Sequence, residues 1–403
     1  MKLRTTILLV ALVPLASAGA MLVPGRAGER WTEMQTWADA AGKRWAARDF
    51  GREPPCGEAV DGAAFDHYAE AMRLARVLGG DDHDLLRDLR LRADTVQANV
   101  ADEFARRWRG PLAALARGAH SRDARPAVDW SQGLGRPMPS LLAARDLMNA
   151  ATIAARRHLA AGDSQAAVTT MLEALTFAVD LEQTPLTIDV MIACAMVGIA
   201  ANDMLRDEDL RQLDPAALGR LALGLERADA RGRSCFDLDG EALLLASTLL
   251  RDEARGGGVA GLEEHGVQAR SWRYGWSRRW AAADAVMALV EFGERMATHR
   301  DAAWSERQTL LAEVHGELDQ HSNPVVRQFA ITTTAVERSL RQARTRVRLL
   351  RLAVEFHRGA DLPVLADPLG DGPIAVERRG ETVVFRSAGG GAGAAMEWVA
   401  TPR

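Results

Sequence analysis

The sequence predicts a mainly α protein, a multi-helical array or bundle of about ten to twelve helices with a small C-terminal β-hairpin. Three observations predict it. Apolar residues recur at three- and four-residue spacing from about Trp31 to Arg358. Aromatic residues make up only 5% of the chain and just two are Tyr, too few for a β-rich protein. Hydrophobic residues reach 48% of the 403 positions, enough to bury a sizeable core and incompatible with a disordered chain.

The elements follow in order. Asp61-Gly62 opens a helix carrying Phe65, Tyr68, Ala69, Met72 and Ala75 at helical spacing. Gly79-Gly80 is expected to close it, and Asp84 to begin another that reaches about Trp108, before Gly110-Pro111. An irregular connection is expected over 118–139, where Pro126, Gly133, Gly135, Pro137 and Pro139 cluster. Helices over about 140–161 and 163–182 meet at Gly162. Pro185 starts an apolar helix, and Asp214-Pro215 supplies an N-cap and a first-turn proline for the next. Cys235–Arg255, Arg270–His299 and Ala302–Asp319 read as further helices, and Asn323-Pro324 begins the last, which can run to Arg358. Beyond it, Ile374–Arg378 and Thr382–Arg386 are β-prone runs joined by Arg379-Gly380-Glu381, with glycine where a tight hairpin needs positive φ. Residues 389–395 read as a flexible linker to a final Met-Glu-Trp-Val.

The amino terminus sets a location. Lys2 and Arg4 precede an uncharged stretch from Thr5 to Val23. Ala16-Ser17-Ala18 and Ala18-Gly19-Ala20 suit signal cleavage, while the length also suits a membrane anchor. Residues 1–24 are therefore expected to be a signal peptide or anchor, 25–360 an all-helical body, and 361–403 the hairpin and tail. Either reading of the first segment exports the body to the periplasm or the outer face of an inner membrane. A formal net charge of −4 gives no bulk attraction to nucleic acid. All but Lys2 and Lys43 of the 50 basic residues are arginine, spread through every helix, which reads as codon bias.

Recognisable chemistry is thin. Cys194 lies in an apolar run and reads as a small buried hydrophobe, while Cys56 and Cys235 sit in turn-rich contexts and could pair across the fold. The spacings match no zinc pattern, so no metal and no cofactor is expected. Gly256-x-Gly258-x-x-Gly261 has the letters of a dinucleotide fingerprint but follows a helix, not a strand. Asp81-Asp82-His83-Asp84 suits a turn and a helix cap. If the chain is an enzyme, the site must assemble from distant residues, with Asp237, Asp239, Glu241 and His265 as the first suspects. Asp237 and Glu241 equally suit the first turn of a helix.

Two basic features are candidate contact surfaces. Arg270–Trp280 holds four arginines and three tryptophans without an acid. On a helix, Trp272, Trp276 and Trp280 fall on one face beside Arg273 and Arg279, which suits a membrane interface, a partner groove or packing into the core. Glu337 to Arg358 carries seven arginines against two glutamates. There Arg341, Arg344, Arg348 and Arg351 form a stripe open to an acidic partner, an anionic lipid or acids of the same chain.

The junction His158-Leu159-Ala160-Ala161-Gly162-Asp163, with the small residues Ala166, Ala167, Ala174 and Ala178 after it, resembles one tetratricopeptide hairpin, but no second copy follows at that period. Three further groups of residues carry a wider resemblance: Met171–Ala178 leading into Thr184–Ile188, Leu352–Gly359, and the tail segments Asp367–Ile374 and Val384–Gly389. Together they resemble uncharacterised bacterial envelope proteins with an N-terminal anchor, a helical body and a short pseudopilin-like tail. The resemblance implies topology and the terminal hairpin, and no activity. In pseudopilin tails acidic residues that help bind calcium follow this pattern. Here Gly390, Gly391 and Ala392 stand in their place, which counts against a calcium site. The N-terminal run lacks the pilin cleavage site and its Glu, so assembly into a pseudopilus is not implied.

The functional expectation is an exported or membrane-tethered helical scaffold acting through contacts with an envelope protein. An envelope enzyme and an interfacial lipid binder are the alternatives.

Overall fold

Along the helix Ala64–Leu91, Ala64, Tyr68, Ala71, Ala75 and Leu86 are all fully buried, so one apolar stripe at three- and four-residue spacing is what the neighbouring helices pack against. A computed structural model describes residues 28–91, 98–135, 140–233, 235–255, 275–389 and 396–402. The chain is mainly helical, as expected, with a small antiparallel sheet at its C-terminal end.

Helix α1 spans 28–47 and buries Trp31, Met34, Ala38 and Ala41. A parallel pair of short strands, β1 (Val60–Ala63) and β2 (Ser121–Asp123), brackets helices α2 (Ala64–Leu91) and α3 (Ala98–His120). Both helices run through the breaks expected of them. The stripe of α2 continues across Gly79-Gly80, so Asp81–Asp84 lie within the helix and do not start a new one. A side chain at Gly79 would meet Asp146 Oδ2 at 2.5 Å, so glycine there permits the close approach of the next helix pair. In α3, Pro111 sits inside the helix. The fully buried Trp108, stacked on Phe104 at 5.7 Å, and the buried Leu115 outweigh the roughly 3 kcal/mol that an interior proline costs.

After a 3₁₀ turn (Trp130–Gly135), helices α4 (Leu141–Ala160) and α5 (Ser164–Glu182) form an antiparallel hairpin closed at Gly162. Ser140 caps Ala143 N and Asp163 caps Ala166 N. The apolar α6 (Thr187–Asn202) lies between this hairpin and the last long helix. The short α7 (Asp207–Leu210) follows, and then α8 (Pro215–Arg231), capped by Asp214. Helix α9 (Asp239–Ala254) packs on the 3₁₀ turn and on α10 (Gly275–Thr298). Helix α11 (Trp304–Gln320) leads to α12 (Pro324–Gln328), capped by Asn323. A turn at Phe329 separates α12 from α13 (Ala330–Arg358), where a single helix was expected.

The tail holds three strands, not two. β3 (Ala375–Arg379) and β4 (Thr382–Arg386) form the expected hairpin, turning at Gly380 with φ 62°. The final Met-Glu-Trp-Val is not a loose end: β5 (Glu397–Ala400) adds to β4, and Val383, Phe385 and Ala400 join the main core. No described helix is long and apolar enough to cross a membrane.

The arginine bias has a structural use. Glu337 on α13 is fully buried and accepts from Arg307 Nε at 3.2 Å, Arg341 Nε at 3.0 Å and Phe236 N at 2.6 Å. Arg307, also fully buried, donates to the Met296 and Phe236 carbonyls as well. One planar guanidinium thereby ties α10, α11, α13 and the segment before α9 together, which the point charge of a lysine could not do.

Asp180 on α5 is the second such centre. It accepts from Tyr68 Oη at 2.6 Å and pairs with Arg52 at 3.0 Å and Arg231 at 2.9 Å. Burial first, and then the Asp180 carboxylate, hold the Tyr68 phenol well above its ordinary 10.0. A raised pKa favours the neutral form in the folded state. The stability it contributes is present below pH 10 and lost as pH climbs above that value. The Cys, Lys and remaining Tyr residues and His120 also titrate in this range, and they are common to both chains compared below. In denaturant unfolding across pH 8–12, the loss of stability above about pH 10 should be shallower for Tyr68→Phe than for the unaltered chain; equal slopes would count against this role.

Candidate functional site

The C-terminal end of α3 is the starting point. Its last carbonyls need partners, and the Arg52 guanidinium supplies them by donating to Ala119 O and to Gly118 O at 2.6 Å. Backbone bonds from Arg52 N to Arg122 O and from Ala124 N to Phe50 O lay the 50–60 segment beside this helix end. Arg52 is paired with Asp180, so α5 is fixed to the same point. Glu173 lies seven residues before Asp180 on α5 and faces the same way.

Three donors meet there. Cys56, in the Pro54-Pro55-Cys56-Gly57 turn, places Sγ 3.7 Å from His120 Nε2. Glu173 Oε1 lies 3.0 Å from the same nitrogen. All three ligand atoms fall within 4.8 Å of one another, and the three residues are partly buried. The other ring nitrogen, Nδ1, lies 3.2 Å from the Glu58 carbonyl, which fixes the ring orientation and aims Nε2 at the sulfur and the carboxylate. Arg227 Nη1 reaches Pro54 O at 3.4 Å and holds the turn to α8.

This convergence can hold a proton or a metal. As a proton site, the His120 imidazole is pushed up to about 10 by its bond to Cys56 and next by Glu173, against an opposing effect of burial. As a metal site, thiolate, imidazole and carboxylate are the zinc ligand types. A tetrahedral zinc with bonds of about 2.3 Å to sulfur and about 2.0–2.1 Å to nitrogen separates those two atoms by about 3.6 Å, close to the spacing found. Glu173 also lines a cleft of about 420 Å³ between α3, α4 and α5, whose walls include Arg109, Leu112, Arg157, His158 and Thr170.

The sequence gives little sign of this site. Cys56 and His120 are 64 residues apart, and His120 and Glu173 are 53 apart, so no local spacing marks them. The turn around Cys56 is the one visible cue. No disulfide joins Cys56 to Cys235, since both are free thiols and Cys235 is buried. Cys194 is buried too, its thiol pushed up to about 12 mainly by burial.

The suspects read from the sequence divide. Asp237 and Asp239 do meet, in a second cleft of about 210 Å³ between α1, the 3₁₀ turn and the start of α9. Asp237 pairs with Arg233 at 2.6 Å, and the protein around Asp239, followed by the Asp237 carboxylate, pushes the Asp239 carboxyl up. Glu241 is a helix cap, not a member of this pair: its Oε1 accepts from Thr187 N at 2.7 Å, at the start of α6. His265 lies outside the described residues.

The arginine stripe of α13 turns inward. Arg341 and Arg344 are buried, on Glu337 and Glu182 respectively, while Arg348 pairs with Asp229 and Arg351 with Glu226 of α8. Acids of the same chain satisfy it, which is the last of the three alternatives that the sequence left open. Trp272 and Arg273 lie outside the described residues, as does the Trp276 side chain. Trp280 is 41% exposed. Arg279 pairs with Glu253 and lies over the Trp31 ring at 5.3 Å, so it too is engaged within the chain.

Comparison with models of protein families, with curated proteins and with solved structures found no match to this chain.

Proposed function

We propose that this protein is a helical envelope protein that binds a divalent transition-metal ion of the zinc class through Cys56, His120 and Glu173. The convergence of sulfur, imidazole nitrogen and carboxylate oxygen within 4.8 Å carries the reading. The tethering of His120 Nδ1 to a backbone carbonyl supports it, because metal-bound histidines are oriented in this way. The uncharged run after Arg4 supports an exported setting. There an unpaired thiol is open to oxidation, and ligation to a metal protects it.

Three protein ligands leave a fourth coordination position, the pattern of catalytic zinc sites. Glu173 borders the 420 Å³ cleft, so a small substrate could reach an ion held here. That favours metal-assisted hydrolysis over a closed structural site as the narrower form of the proposal, and it gives the envelope-enzyme reading its support. The scaffold reading keeps the helical body as its support and loses the α13 stripe as a contact surface.

Cobalt titration of the full chain, stripped of metal with a chelator, tests the proposal. A thiolate-to-cobalt charge-transfer band with d–d absorption of tetrahedral intensity is expected at one equivalent. Outer-shell changes cost about 10–100-fold in metal affinity, so Cys56→Ser or His120→Ala should cost more than about 100-fold and remove the charge-transfer band. Absence of the band from the unaltered chain, or its survival in Cys56→Ser, would overturn the assignment.

A further inference from the structure

We infer that the second cleft, formed by α1, the 3₁₀ turn and the loop before α9, is a binding site for a small organic oxyanion, a carboxylate or phosphate ester carrying a flat apolar ring.

The charge balance is the first argument. Arg44, Arg48, Arg233 and Arg300 line the cleft against two carboxylates, Asp237 and Asp239. Arg233 and Asp237 pair with each other and leave three arginines facing one acid. Arg48 donates to Gln183 Oε1 at 3.2 Å. The side chains of Arg44 and Arg300 make no hydrogen bond or ion pair with described residues, so two guanidinium forks remain for a ligand. Crowding is visible in Arg48, which burial and the nearby Arg233 and Arg300 charges hold below its ordinary value. A bound anion relieves that repulsion.

The walls supply the second argument. Trp45 and Trp130 both line the cleft, their rings 6.0 Å apart and perpendicular. Indole faces beside guanidinium groups suit a planar ring joined to an oxyanion. A volume of about 210 Å³ equals that of about seven waters, the size of a one-ring compound.

Asp239 gives the site a sign that can be tested. It is the one carboxylate of the cleft without a hydrogen-bonded partner among the described residues, and it repels an incoming anion. Removing its charge should tighten binding, whereas removing Arg44 and Arg300 should weaken it. A purely structural role for these exposed side chains predicts neither effect.

Isothermal titration of the full chain at low salt, with phenyl phosphate, benzoate and inorganic phosphate as probes, decides the matter. Saturable binding of phenyl phosphate or benzoate is expected, tighter than that of inorganic phosphate, and the tighter of the two ring compounds names the headgroup. The double variant Arg44→Gln/Arg300→Gln should weaken it at least about 10-fold, and Asp239→Asn should strengthen it several-fold. Cys56→Ser should leave it unchanged, which separates this cleft from anion binding to a metal at His120. The inference is overturned if neither ring compound binds saturably in the millimolar range, if the double arginine variant binds as well as the unaltered chain, or if Asp239→Asn weakens binding.

Discussion

Replacing Glu337 with glutamine is expected to cost about 3–5 kcal/mol of folding stability, the cost of removing one partner from a buried ion pair. The carboxylate has no solvent exposure and four donors converge on it: two from Arg307, one from Arg341 and the backbone N–H of Phe236. An amide of the same shape can accept some of these bonds. It cannot neutralise Arg307, which has no exposed surface through which to recover hydration. Arg341 is better placed, since it stacks over Trp304 at 4.6 Å and donates to Pro368 O. A guanidinium-chloride titration reads the loss as a lower midpoint. The paired replacement Arg307→Met/Glu337→Leu should lose less than Glu337→Gln alone, because it removes both buried charges. A loss below about 1 kcal/mol for Glu337→Gln would show that the pair is not what ties α11 to α13.

The reach of the sequence is clear from where its signals are local. Ser140, Asp163, Asp214-Pro215 and Asn323-Pro324 each mark a helix start, and each caps one. Gly359 ends the last helix in the left-handed conformation, and Gly380 turns the hairpin. Signals fail where tertiary packing competes with them. Gly79-Gly80 and Gly110-Pro111 are strong breakers, yet α2 and α3 run through both because the buried faces on either side belong to one stripe. The third tail strand was hidden for the opposite reason: Glu397–Ala400 is only four residues long and is held by its pairing with β4.

The site was less legible than the fold for the same physical reason. A ligand set drawn from a turn, the end of α3 and the middle of α5 carries no spacing, and only the packing of those elements brings it together. The Asp237–Asp239 pair was legible because its members are neighbours in sequence. For Arg341, Arg344, Arg348 and Arg351, pairing with acids of the same chain was legible as one of three alternatives, but not which acids, because Glu182, Asp229 and Glu226 lie on α5 and α8 and are brought to the stripe only by packing.

Asp180→Asn is expected to weaken both the fold and the metal site, although Asp180 is not among the three proposed ligands. Its carboxylate has no exposed surface and neutralises Arg52, which caps α3 immediately before His120. Without that charge, Arg52 has a buried cation and no counter-ion, and the contact that holds α5 against the end of α3 is loosened. The stability cost should again be about 3–5 kcal/mol. Cobalt affinity should fall by about 10–100-fold, the range for a group that orients a ligand without binding the ion. Glu337→Gln is the matched control, since it is similarly destabilising but acts on α11 and α13. Under conditions in which both variants remain folded, Glu337→Gln should bind cobalt as the unaltered chain does and Asp180→Asn should not. Equal cobalt affinity in the two would mean that Asp180 supports the fold without positioning His120 and Glu173.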